Sequence, residues 1–77
     1  MSQKEVNMGL QETRVVCQRT HRGSVVLFTK NIIGDSLSWD LRWTVEGVEV
    51  FFESWKGLKG GTRGFRTYKG IVEYVEG

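Results

Sequence analysis

The sequence predicts an α+β domain: a four-stranded antiparallel meander with a short C-terminal helix packed on one face. Three observations carry that prediction. From Glu12 to Trp55 the apolar residues recur largely every second position, the period of a strand. Turn-forming clusters at His21-Arg22-Gly23, Gly34-Asp35-Ser36 and Glu46-Gly47 cut this stretch into four pieces. Beyond Arg66 the period lengthens to that of a helix.

Taken in order, residues 1–11 are mostly polar and read as a flexible arm ahead of a single domain at 12–77. The alternation of Val6, Met8 and Leu10 allows a second reading of that arm, as a brief edge strand. Arg14 to Thr20 (RVVCQRT) is rich in β-branched residues and forms the first strand, closed by a three-residue turn at His21-Arg22-Gly23. Ser24 to Ile32 is apolar on both faces through Val25, Val26, Leu27 and Phe28, as a central strand is.

Leu37 to Val45 alternates without exception, Leu37, Trp39, Leu41, Trp43 and Val45 against Ser38, Asp40, Arg42 and Thr44. That is a half-buried strand with one wet face. A two-residue loop at Glu46-Gly47 sets a register in which Val45 faces Val48, Trp43 faces Val50 and Leu41 faces Phe52. In the same register Asp40 faces Glu53, Arg42 faces Phe51, and Phe51 and Trp55 point away from the helix-covered side.

Residues 56–66 (KGLKGGTRGFR) hold four glycines, break both periods and read as a flexible loop. Tyr68, Ile71, Val72 and Val75 then lie at i, i+3, i+4 and i+7, one stripe of a helix with Thr67 at the N-cap position. The helix is expected to pack on the Trp39/Trp43/Phe52 face. The alternative architecture is a small all-β barrel with Ile71 to Glu76 as its last strand.

Composition narrows function mainly by exclusion. The 77 residues make one small domain, one that buries roughly 60–65% of the surface its unfolded chain exposes. With 39% hydrophobic and 26% charged residues it reads as globular. No apolar run reaches the ~18 residues of a membrane span, the polar start does not read as a signal peptide, and the single Cys points to a reducing, cytoplasmic setting.

His21 lies in a turn and Cys17 within an apolar strand, so no nucleophile–base–acid set assembles, and the expectation is a protein that is not an enzyme. Two Cys/His residues fall short of a zinc site of that kind, and no cofactor is expected. The stretch GLKGGTRG lacks the Lys-Ser/Thr ending of a phosphate-binding loop.

Charge placement says more than the net +2. Residues 13–34 carry Arg14, Arg19, Arg22 and Lys30 and no acid, and residues 54–72 carry Lys56, Lys59, Arg63, Arg66 and Lys69, again with no acid. Between them, 35–53 holds Asp35, Asp40, Glu46, Glu49 and Glu53 against Arg42 alone.

The second basic zone interleaves its cations with Trp55, Phe65 and Tyr68. Lys and Arg would neutralise phosphates while an aromatic stacks on a base, so Lys56, Lys59, Arg63, Arg66 and Lys69 are the candidate nucleic-acid-binding residues. The plainer reading is a mobile, solvated connector.

The rival function is a protein-binding regulator or inhibitor, an accessory protein of the phage or plasmid type. Arg42, Phe51 and Trp55 would be its partner-binding surface, together with a free sheet edge. A homodimer through the double-faced strand Ser24 to Ile32 is the third possibility.

Overall fold

The computed structural model describes residues 11–77. The polar arm lies outside the described residues except for Gln11, which already belongs to a strand. Four strands, β1 (Gln11–His21), β2 (Ser24–Ile33), β3 (Ser36–Val45) and β4 (Val48–Lys56), precede one helix, α1 (Gly57–Glu76). Among the described residues the sheet is antiparallel throughout, in the order β1-β2-β3-β4, and not closed. The α+β meander with a C-terminal helix on one face is therefore the observed architecture.

All three turns are two-residue loops. Arg22-Gly23 and Glu46-Gly47 each place two consecutive residues at positive φ (48° and 84°, 50° and 85°), the type I′ pattern whose twist matches that of the strands. His21 and Ser36, expected in turns, instead pair with Ser24 and Ile33. The Glu46 amide donates to the Gly23 carbonyl at 2.7 Å and ties the two neighbouring I′ turns together.

The expected β3–β4 register holds only next to the turn, for Val45 with Val48 and Thr44 with Glu49. A bulge follows: Thr44 pairs with Glu49 and Trp43 with Phe51, which leaves Val50 as the extra residue. One inserted residue turns every later side chain to the other face. Leu41 thus faces Glu53, Arg42 faces Phe52, and Asp40 faces Ser54.

The opposed carboxylates expected at Asp40 and Glu53 do not occur. The Asp40 carboxylate accepts from Ser54 Oγ at 2.6 Å and from Asn31 Nδ2 at 2.8 Å. The bulge also brings Phe51 and Trp55 onto the helix-covered face, and sends Phe52, expected beneath the helix, to the open one.

The core is small and aromatic. Val26, Phe28, Trp39, Leu41 and Trp55 are buried, and Phe51, Trp43, Cys17, Tyr68, Ile71 and Val72 pack around them. Phe28 stacks on Trp39 (centroids 5.2 Å apart, planes 17° apart) and meets Phe65 edge-on at 4.8 Å. Fully burying Val26, Phe28 and Leu41 contributes about 1.5–3 kcal/mol each.

The glycine-rich segment 56–66 is not a loop; Lys56 ends β4 and residues 57–66 are the first half of α1. Each interior glycine there costs about 1 kcal/mol of helix propensity relative to alanine, which is why the pattern reads as irregular. Packing offsets that cost. Gly60, Gly61 and Gly64 are buried, and a Cβ on each would stand 2.5–2.7 Å from Trp55, Trp39 and Phe28 respectively. The helix backbone lies directly on three aromatic side chains, an approach only glycine permits.

Thr67 is accordingly no N-cap. It sits mid-helix, and its hydroxyl donates to the Arg63 carbonyl one turn back at 3.1 Å. The true corner is at Gly57, with φ 78°, where Trp39 Nε1 donates to the Gly57 carbonyl at 3.0 Å. From there α1 crosses the sheet from β4 over β3 and β2 to β1, where Glu76 pairs with Arg19. Among the described residues no helix is long and apolar enough to cross a membrane.

Candidate nucleic-acid interface

With glycines buried along one face of α1, the opposite face carries four cations, while Leu58, Phe65 and Tyr74 are exposed elsewhere on the helix. At 100° per residue, Lys59, Arg63, Arg66 and Lys69 fan over about 120° of the helix surface. That arc faces away from the arc of Gly60, Gly61, Gly64, Tyr68, Ile71, Val72 and Val75. All four are exposed, as is Lys56 at the end of β4.

Among the described residues the ion pairs join Arg14 to Glu12, Arg19 to Glu76 and Arg42 to Glu49, so none of these five cations has a carboxylate partner. Their placement also runs against the helix macrodipole. The first turn carries no acid and the last turn no base, while Lys56 and Lys59 stand at the positive end and Glu73 and Glu76 near the negative end. Each such charge costs about 0.3–1 kcal/mol where the reverse arrangement would stabilise by as much.

The aromatics of the same segment separate from the cations. Trp55 is 8% exposed. Tyr68 stacks on Phe28 with centroids 6.2 Å apart, and Phe65, though 42% exposed, is held edge-on against the Phe28 ring. The interleaved run thus resolves into two faces, cations outward and rings inward, and the expected stacking of a base on these rings has no platform on the cationic arc.

In the first basic zone Arg14 and Arg19 are paired and the Lys30 ammonium sits 5.6 Å from the Trp39 ring centroid, while Arg22, in the β1–β2 turn, is exposed and has no ion pair among the described residues.

The residues expected to bind a partner do not come together. Phe51 and Trp55 lie in and around the core beneath α1, whereas Arg42 is on the open face. There its guanidinium lies 4.9 Å from the Phe52 ring centroid, and its Nε donates to Glu49 at 2.8 Å. The exposed apolar residues of β4 are Val48, Val50 and Phe52. Sequence periodicity missed them because a bulge carries no signature in the alternation pattern.

A groove of about 480 Å³ runs between the second half of α1 and β3, lined by Trp43, Thr67, Gly70, Ile71 and Tyr74. Tyr74 meets Trp43 edge-on at 5.8 Å. Trp43 is consequently half-covered by the helix rather than sealed in the core.

Two groups shift their acidity. Burial raises the Cys17 thiol above its ordinary range. Burial also raises the Tyr68 phenol; Cys17 adds to that rise and Arg19 opposes it. Both favour the neutral form, which leaves Cys17 a poor nucleophile.

Comparison with protein families, with curated proteins and with solved structures finds no match to this chain.

Proposed function

We propose that this protein is a small nucleic-acid-binding module that uses the outward face of α1. One observation carries the reading: five exposed cations, none with a carboxylate partner among the described residues, lie on and beside one helix, where Lys59, Arg63, Arg66 and Lys69 repel one another at i+3 and i+4 spacing and Lys56 and Lys59 also stand at the unfavourable end of the dipole. A merely solvated helix face gains nothing by gathering one sign of charge at i+3 and i+4 spacing. A surface that neutralises phosphates does, because each contact releases condensed counterions.

The test is an anisotropy titration of the intact chain with labelled oligonucleotides at two salt concentrations, repeated on the double variant Lys59→Glu, Arg63→Glu. Both positions face solvent, so the variant is expected to keep its circular dichroism and lose binding. Absence of binding by the parent at low salt, or unchanged affinity in a folded variant, overturns the proposal.

A second reading, attachment to a larger protein through a sheet edge, draws on the β4 edge, unpaired among the described residues, and its exposed Val48, Val50 and Phe52. Its discriminating variant is Val50→Lys with Phe52→Ser, which leaves the helix stripe intact. Truncating Phe51 and Trp55 would instead test folding.

A further inference from the structure

We infer that the phosphate surface on α1 is built for double-stranded DNA in B form. The inference rests on the reading above and names its substrate. Three properties of the stripe lead to it.

It is rigid, because the glycine face of the helix rests on Trp55, Trp39 and Phe28 and cannot roll without collision. Relative to Lys59, the cations at Arg63, Arg66 and Lys69 rise by about 6, 10 and 15 Å along a straight axis. Their arc of about 120° sends them to both flanks of a cylinder about 10–12 Å across. B-form DNA offers a major groove about 12 Å wide with phosphates on both walls, whereas the A-form groove of RNA is deep and too narrow to admit such a cylinder.

It also carries no ring along the arc from Lys59 to Lys69. Single-strand surfaces combine cations with aromatic platforms; here Trp55 and Tyr68 are packed against the sheet, Phe65, 42% exposed, is held edge-on to Phe28 outside the arc, and the exposed Tyr74 lies beyond Lys69, edge-on to Trp43.

Finally, the stripe has a marked end. Glu73 lies on the same arc one turn beyond Lys69, is exposed, and has no ion-pair partner among the described residues. It repels the next phosphate and confines the contact to residues 56–69.

The experiment titrates the intact chain into three labelled probes of equal length, duplex DNA, single-stranded DNA and duplex RNA, each of about 20 nucleotides per strand, across a salt series. Four to five phosphate contacts predict a log–log salt slope of about −3.6 to −4.5 on duplex DNA. That is a loss of about 150- to 500-fold in affinity between 50 and 200 mM salt. Duplex DNA is expected to bind at least tenfold more tightly than either other probe. Glu73→Lys is expected to steepen the slope by about 0.9 through one added contact.

Equal or tighter binding to single strands or to duplex RNA overturns the duplex-DNA inference and leaves the phosphate-binding reading standing. So does an unchanged slope in Glu73→Lys. Failure of all three probes overturns both.

Discussion

Replacing Gly64 by alanine adds one methyl group at a point where the helix meets the sheet with no room to spare. The new Cβ would stand 2.5 and 2.6 Å from Phe28 Cε1 and Cζ and 3.2 Å from Trp55 Cε3. Carbon atoms pack at about 3.5–4.0 Å, so the shortfall against Phe28 is about 1 Å. The ring cannot give way: Phe28 is fully buried, with Trp39, Phe65 and Tyr68 around it. The helix must lift instead, which loosens its other contacts. Overpacking of this kind costs about 1–3 kcal/mol, and a site this closed belongs at the upper end. Alanine returns about 1 kcal/mol of helix propensity, so the expected net loss is about 2 kcal/mol, or about 8–16 °C in Tm.

Gly70→Ala is the internal control, since a Cβ there meets nothing within 4 Å. It is expected to gain about 1 kcal/mol. Urea unfolding followed by tryptophan fluorescence measures both variants. If Gly64→Ala stabilises as much as Gly70→Ala, the helix is not seated on the rings and the argument for a fixed cationic face fails with it.

Three further outcomes are expected. Glu46→Asn places a residue tolerant of positive φ where Glu46 now has φ 50°, and should raise stability by a few tenths of a kcal/mol in the same urea assay. A decrease would refute the I′ assignment. Trp39→Phe removes the donor to the Gly57 carbonyl and should cost about 1–3 kcal/mol in thermal unfolding. A cost near zero would mean that the strand-to-helix corner does not depend on that bond. In the third, folding raises the pKa of Cys17 and Tyr68, so the folded chain holds those protons more tightly than the unfolded one. The resulting stability is present below about pH 8.5 and is lost as pH climbs through the raised values. Tyr68→Phe with Cys17→Ala should flatten the alkaline fall in the urea midpoint, and an unchanged fall would count against the burial of both groups.

Much of the fold was legible because short-range rules governed it. The unbroken alternation of Leu37 to Val45 and the glycines at Gly23, Gly34 and Gly47 mark three hairpins in the sequence. What escaped were two places where packing overrides local preference. Val50 bulges out of β4, and no rule of alternation marks an inserted residue, so the faces of Phe51, Phe52, Glu53 and Trp55 were exchanged. Gly60, Gly61 and Gly64 look like breakers in isolation and become helical only opposite large rings, a partner the local window does not contain. The signal was present in another form, since their i, i+1, i+4 spacing is itself that of one helix face. The five cations of the candidate interface read in the sequence as arms of a loop, whereas the structure sets four of them along one side of a helix and Lys56 at the end of β4.

The route of α1 across the sheet has a kinetic consequence. Every strand pairs with its neighbour in sequence, so the sheet assembles through three short loop closures and little entropy is lost to long-range search. The tie between Arg19 of β1 and Glu76 at the end of α1 spans a long sequence separation and is expected to form last, once the helix has traversed the sheet. Weakening that final contact should therefore speed unfolding and leave the folding rate nearly unchanged. The cationic arc is held by the seat of Gly60, Gly61 and Gly64 on Trp55, Trp39 and Phe28, so the surface proposed to meet DNA is complete only once the helix has docked on the finished sheet.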